Sequence, residues 1–321
     1  MKKIFFLVYL IVILFLSCKN PIEDKTITVA TLKGPSAMGM IKMIDSISNN
    51  KSSKTKILIL NEPIQVRKLM LENKVDFAIL PTTMGAILYN KGIEYKLAAI
   101  PVWGTLYLFG SDTTIRTWND LIGKKIYLMA KGMTPDVLFK YLLIQNNIDP
   151  EKDVQLDYSY PTHIDLANAV AAGQAKLGVI SEPMVSLVIQ KNKNIYSLFD
   201  LNAEWQKVNK NIPIAQTALM VNSDFAEKNH DLVDQFIKHY KKSTDWVNAN
   251  PDSAASLIVK FEILPNTEVA KSSIPRSNLK LIYSEDIKTE IYNYLELFYT
   301  LNPDIIGGKI PDKDFILQIK N

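Results

Sequence analysis

The chain has 321 residues, 47% of them hydrophobic, with 37 Lys and Arg against 33 Asp and Glu. That is enough to bury one large core or two modest ones, and the charge is too balanced to imply a nucleic-acid partner. Gly and Pro are not enriched, which excludes a fibrous or disordered chain. Arg67, Arg116 and Arg276 are the only arginines, which argues against a site built from several bidentate guanidinium clamps.

The first element is a leader. Lys2 and Lys3 precede an unbroken apolar run of thirteen residues from Ile4 to Leu16, too short to span a bilayer comfortably but suited to a signal-peptide core. The alternative is a short anchor that stays attached. Cys18 is the only cysteine, so no internal disulfide can form. Ser17-Cys18 after the apolar run resembles a bacterial lipoprotein cleavage site, with Phe15 where that pattern usually has Leu. The resemblance implies that residues 1–17 are removed and that Cys18 becomes an acylated first residue, carrying chains such as palmitate. Several acyl chains on one residue suffice for stable anchoring; a non-lipidated secreted protein is the alternative. Residues 18–25 then form the lipidated terminus and tether. Loss of two lysines leaves 35 basic against 33 acidic residues, a net charge of +2.

Beyond residue 26 strands and helices alternate. "TITVAT" reads as a strand. Ser36 to Ile47 reads as one amphipathic helix, with Met40, Ile41, Met43, Ile44 and Ile47 on its apolar side. "TKILIL" is a strand, and Ile64 to Glu72 a helix with Val66, Leu69 and Met70 inward. "DFAIL", 76–80, is too apolar for one exposed face and fits a central strand of a parallel sheet. "PVWGTLYLFGSD", 101–112, reads as one long strand, and "IAQTALMVNSD", 214–224, as another. Two helices follow, 229–251 and 286–303, whose aromatic residues fit core packing. This alternation predicts an α/β fold.

The pattern occurs twice. "TLKGPSAM" and "LMAKGMTPD" both read strand, Lys-Gly-x-Ser/Thr, helix. "VRKLMLENKVDFAILP" and "LANAVAAGQAKLGVISEP" both read helix, turn, buried strand, Pro. Two similar lobes follow, the first over 26–110 and 217–321, the second over 111–216. Reuse of a common α/β unit is the alternative. Two crossings between lobes would make a hinge.

The duplicated stretch points to binding. A helix start carries unpaired N–H groups and partial positive charge, and a preceding Gly lets a ligand approach. Two such starts facing each other, at Ser36 and Thr134, would grip a small polar or anionic group from both sides; ordinary helix capping is the plainer reading, with Thr134-Pro135 as N-cap and first helical position. Ligands of open α/β sheets bind outside the carboxyl ends of strands, which places Thr82, Thr83, Ser181 and Glu182 along the cleft. Trp103 and Gly104 would offer a flat face beside the ligand, or Trp103 would serve as hinge core. Catalytic signatures are poor. The histidines are His163, His230 and His239, and neither a metal-ligand cluster, a nucleophile elbow nor a phosphate or dinucleotide Gly fingerprint occurs. No cofactor or metal is expected.

"VATLKGPSAMGMIKMID", "VDFAILPTTMGAILYNKG", "DLIGKKIYLMAKGMTPDVLFKYLL", "LGVISEPMVSLVI" and "NPDIIGGKIPDKDFI" together resemble solute-binding lipoproteins of ABC importers, in the nitrate/sulfonate/taurine and thiamine-precursor-like group. The resemblance runs from about 26 to 317. It implies the type II periplasmic binding protein fold, two α/β lobes joined by two crossover strands, and a non-enzymatic monomer that delivers one solute to a membrane permease driven by a cytoplasmic ATPase. Carried over by position, the contacts are Gly34, Pro35, Ser36, Thr82, Thr83, Trp103, Met133, Thr134 and Glu182. The alternatives are an enzyme on the same fold, of the thiamine-pyrimidine or menaquinone biosynthetic type, or a solute-sensing lipoprotein without a transporter.

Overall fold

The computed structural model describes residues 26–209 and 212–318. The leader, Cys18 and the tether lie outside the described residues. In chain order the elements are β1 (Ile27–Leu32), α1 (Pro35–Gly39), α2 (Ile41–Asn49), β2 (Thr55–Leu60), α3 (Pro63–Leu71), β3 (Phe77–Pro81), α4 (Thr82–Asn90), β4 (Tyr95–Trp103), β5 (Leu106–Gly110), β6 (Lys125–Tyr127), α5 (Thr134–Gln145), β7 (Gln155–Asp157), α6 (His163–Ala171), β8 (Leu177–Ser181), α7 (Met184–Lys191), β9 (Tyr196–Asp200), α8 (Leu201–Val208), β10 (Ala215–Asn222), α9 (Ser223–Lys228), α10 (His230–Ala249), α11 (Pro251–Lys260), α12 (Thr267–Ser273), β11 (Leu279–Tyr283) and α13 (Lys288–Leu301).

The strands make two sheets, ordered β11-β4-β10-β3-β1-β2 and β7-β6-β8-β5-β9. In the first, β2, β1 and β3 are parallel and β10 lies antiparallel between β3 and β4. In the second, β7, β6 and β8 are parallel and β5 lies antiparallel beside β8. Both sheets therefore repeat one plan: an edge strand, the strand before the Gly-containing helix start, the buried strand, then an antiparallel partner. β3 is as buried as its composition predicts, but it has one parallel and one antiparallel neighbour.

The single helix expected over 36–47 is two helices broken at Met40. The cause is α10. Ser243 donates its hydroxyl to the Gly39 carbonyl (2.8 Å), and Thr244 donates to the same oxygen (3.3 Å). The Ser243 oxygen also accepts from the Lys42 and Met43 N–H groups at 3.1 and 3.2 Å. A side chain inserted in the ladder replaces the helix's own bonds and bends it.

The stretch 101–112 is likewise two strands. β4 ends at Trp103 in the first sheet and β5 starts at Leu106 in the second. The change of sheet therefore falls at Gly104–Thr105, ahead of the boundary expected at 110. Gly104 passes so close to α8 that a Cβ there would lie 2.3 Å from Asn202 Oδ1. The chain is back in the first sheet at β10, which lies wholly in it. Trp205 pins this return: it is fully buried, donates its indole N–H to the Ile212 carbonyl (2.7 Å) and stacks on Phe298 of α13.

The apolar faces expected of the helices are the ones buried. Val66 and Met70 of α3 are covered, as are Phe236, Ile237 and Tyr240 of α10. Phe77 stacks on Phe236 at 4.1 Å and meets Phe225 edge-on at 5.7 Å. Each such ring contributes about 1.5–3 kcal/mol on burial.

Candidate functional site

The parallel strands β1 and β3 of one sheet and β6, β7 and β8 of the other each lead at their carboxyl ends into a helix start. Gly34, which precedes α1, has φ 146° and ψ −148°, a region essentially closed to residues with a Cβ. Its free side faces the other half of the molecule: a Cβ there would sit 3.6 Å from Pro183 Cδ. Pro35 opens α1, and Ser36 is buried, its carbonyl accepting from the Tyr240 hydroxyl at 2.8 Å.

Thr134 is not the expected N-cap. Met133, half-buried, holds that position, and Thr134 is the first residue of α5 with no side-chain cap. The Thr134 hydroxyl instead pairs with the Thr83 hydroxyl, Oγ1 to Oγ1, at 2.9 Å. Thr83 lies in the first turn of α4, beyond β3 of the first sheet, and Thr134 follows β6 of the second. The two halves thus touch through hydroxyls from corresponding ends. The two duplicated helix starts are nevertheless unequal. The Gly132 N–H donates to Asp136 Oδ2 (2.7 Å), whose other oxygen accepts from the Tyr158 hydroxyl (2.6 Å), with Lys140 Nζ at 3.8 Å. That N–H is spent inside its own loop.

Beside this contact, Thr82 is wholly buried and its hydroxyl has no hydrogen-bond partner. The same holds for Thr31, near the carboxyl end of β1. A buried polar group normally finds a partner; the Tyr294 hydroxyl, in the core against Trp205 and Phe298, is likewise without one. Thr82 was anticipated from the sequence. Thr31 was not; it follows Val29 and Ala30 in the buried middle of β1.

Glu182, just after β8, is 3% exposed. Its Oε2 accepts from the Ser186 N–H (3.2 Å), and its Oε1 accepts from the Ser186 hydroxyl (3.0 Å). Arg276 Nη1 stands 3.5 Å from Oε1. Burial pushes the carboxyl up to about 7, with Ser186 and Arg276 pulling the other way. Ser181 ends β8 and is also buried. Half-buried His163, at the start of α6, is pushed down to about 4 by desolvation and is neutral at ordinary pH. Trp103 sits half-buried at the end of β4 and donates its indole N–H to the Lys280 carbonyl (2.7 Å). Its polar atom is engaged in the first half, next to the Gly104 crossing.

Among the described residues no Lys, Arg or His is buried, and Asp136 and Glu182 are the buried carboxyls. No group of three or more His, Cys, Asp and Glu able to hold a metal occurs among them, and no helix is long and apolar enough to cross a membrane.

Two α/β halves of one plan, with the chain passing from the first sheet to the second and back and strand-end hydroxyls meeting between them, define the periplasmic solute-binding protein fold. Residues 54–254 match the family described as NMT1/THI5 like, and the chain belongs to that family. Its structure is similar to one described as an ABC transporter from Parabacteroides distasonis, at 26% identity over 92% of this chain and 100% of that one, with a TM-score of 0.80. It shares its fold with the periplasmic aliphatic sulphonate binding protein SsuA of Escherichia coli, at 17% identity over 92% and 94% of the two chains and a TM-score of 0.71. YtlA of Bacillus subtilis (strain 168), provisionally named a binding protein, is 27% identical over 184 residues, 57% of this chain. The match spans about half of that relative's length, 53%.

Proposed function

We propose that this protein is the extracytoplasmic solute-binding component of an ABC importer. It closes on a small polar solute, sulfonate-, nitrate- or pyrimidine-like, and delivers it to a permease coupled to a cytoplasmic ATPase. No bond of the solute changes. Closing presents surfaces of both halves to the permease, and the solute favours the closed form because only there does it touch both halves.

The observation that carries this reading is the Thr83–Thr134 hydroxyl pair at 2.9 Å. It joins the two halves at the strand ends where α/β sheets take ligands, next to the unpartnered Thr82 and Thr31 hydroxyls. In the proposed complex Gly34, Pro35 and Ser36 give the solute a backbone edge. Thr82, Thr83, Met133 and Thr134 surround it, and Glu182 accepts from any N–H it carries. Trp103 is the outlying member of the set and acts at the crossing.

The test is a thermal-shift screen of the purified chain with nitrate, ethanesulfonate, taurine, aminopyrimidines and amino acids. A solute at 100-fold its dissociation constant stabilises the folded state by about 2.7 kcal/mol, so a saturable upward shift is expected from one class. No shift across the panel would overturn the proposed solute classes. The lipid anchor is part of the same proposal: Cys18→Ala should abolish incorporation of radioactive palmitate, and a variant that still takes up label would refute acylation at that residue.

A further inference from the structure

We propose that Arg276 is a positioning residue that latches the two halves shut through Glu182, and that this latch responds to protons. The inference rests on the solute-binding reading, since a latch has a use only where the halves part and close.

Arg276 lies in a short 3-10 turn, Pro275–Ser277, between α12 and β11 of the first half. Glu182 belongs to the second. The guanidinium reaches 3.5 Å from the Glu182 carboxylate and lies over the Tyr107 ring at 5.9 Å. Tyr107, on β5 of the second sheet, also donates its hydroxyl to the Arg276 carbonyl at 3.1 Å. One residue of the first half is therefore held by the second at its side chain and at its backbone. Further out, Gln190 of α7 donates to Asn266 Oδ1 (3.2 Å) and Glu268 Oε2 (2.9 Å), and Lys193 pairs with Glu268 at 3.8 Å. Lys193 and Glu268 are both well exposed, and such pairs contribute little. Glu182 differs because its side chain is fully covered and its partner from the first half, Arg276, stands at one of its oxygens; in the proposed opening Arg276 is withdrawn and water takes its place.

The groups facing Glu182 are Arg276 and Ser186, with Tyr107 beside Arg276 and Asp200 bearing on the same tyrosine. Burial holds the Tyr107 hydroxyl protonated. Shut, the Glu182 carboxyl titrates near 7; opened into water it returns to an ordinary value of 4.5. Closing thus takes up a proton between those two values. The closed form gains its full advantage below the lower one, loses it as pH rises through about 7, and changes no further above that. Arg276 opposes the loss by stabilising the charged carboxylate, so removing it widens the pH window.

Hydrogen–deuterium exchange of the full chain in detergent micelles tests this at pH 5 and pH 8, with rates corrected for intrinsic exchange. The reporters are the amides of Gly34, Ser36, Met184 and Val185, and amides of β3 serve as the control for global unfolding. Wild type should lose about tenfold or more of its reporter protection at pH 8, because one unit of pKa difference is tenfold in the closing equilibrium. Glu182→Gln should show equal protection at both pH values. Arg276→Lys should keep the wild-type profile, and Arg276→Met should be more open than wild type at pH 8. An unchanged pH response in Glu182→Gln, or wild-type behaviour in Arg276→Met, overturns the latch. Protection independent of pH in a wild-type protein that still shows a solute-induced thermal shift sinks the latch alone. Unprotected reporters in every protein at either pH, with no thermal shift, sink the latch and the solute-binding reading together.

Discussion

Val in place of Thr83 or Thr134 keeps the side-chain shape and deletes the hydroxyl contact between the halves. A net hydrogen bond is worth about 0.5–1.5 kcal/mol, so either variant should lower affinity for the solute found by the screen by about threefold to tenfold, measured by titration calorimetry. The melting temperature without solute should move little. Gly34→Ala should behave differently. Its φ of 146° would impose about 1–3 kcal/mol of strain on any residue with a Cβ, so urea denaturation should register the loss with no solute present. A fall in affinity at Gly34 would therefore not by itself identify a contact. At this scale the sequence was half legible. Gly34, Thr82, Thr83, Thr134 and Glu182 stood out because they sit at strand ends or helix starts. Thr31 hid inside a strand. Arg276 stayed invisible because its partner is Glu182, far away in the chain and brought near only by the packing of the two halves.

Among the elements, the repeated units were readable because hydrophobic period and Gly/Pro punctuation are local. What was not readable came from distant side chains. The break at Met40 is made by Ser243 and Thr244, two hundred residues downstream. Ser243→Ala should leave the Lys42 and Met43 N–H groups short of a partner at a cost of about 1–3 kcal/mol, seen as lower stability together with faster exchange of those two amides. The division of 101–112 into two strands is equally non-local. An apolar run reads the same whether it continues one sheet or leaves it, and the place where it turns is held by distant residues: Asn202 crowds Gly104, Asn278 donates to the Gly104 carbonyl and Gln216 bonds Thr105. Trp205 is the anchor of the return path, and Trp205→Ala should cost about 3–5 kcal/mol, the usual range for removing a buried indole, with a matching fall in the urea midpoint.

For the molecule as a whole, His163 and Glu182 contribute opposing pH responses, alongside carboxyls such as Asp112 and Asp157 that neighbouring lysines and hydroxyls hold low. His163, held near 4 in the fold against an ordinary 6.5, contributes stability that is full above the higher value and is lost as pH falls between the two. Glu182, held near 7, favours the folded, closed form on the acid side and withdraws that support as pH rises. His163→Gln should remove the rise in thermal stability between about 4 and 6.5 and expose the fall that Glu182 imposes between 4.5 and about 7, which differential scanning calorimetry across pH would show. The order of strands carries a further consequence, for folding. β5 to β9, the whole of the second sheet, are contiguous in the chain, whereas the first sheet needs β10 between β3 and β4. As the exported chain of the proposed function emerges N-terminus first from translocation, β1, β2 and β3 come first but must wait with an open edge until residue 222 has followed, and the later-emerging half is complete before the earlier one. The emerging chain is thus exposed to mispairing along β3, the strand end on which the proposed solute contacts Thr82 and Thr83 are later assembled.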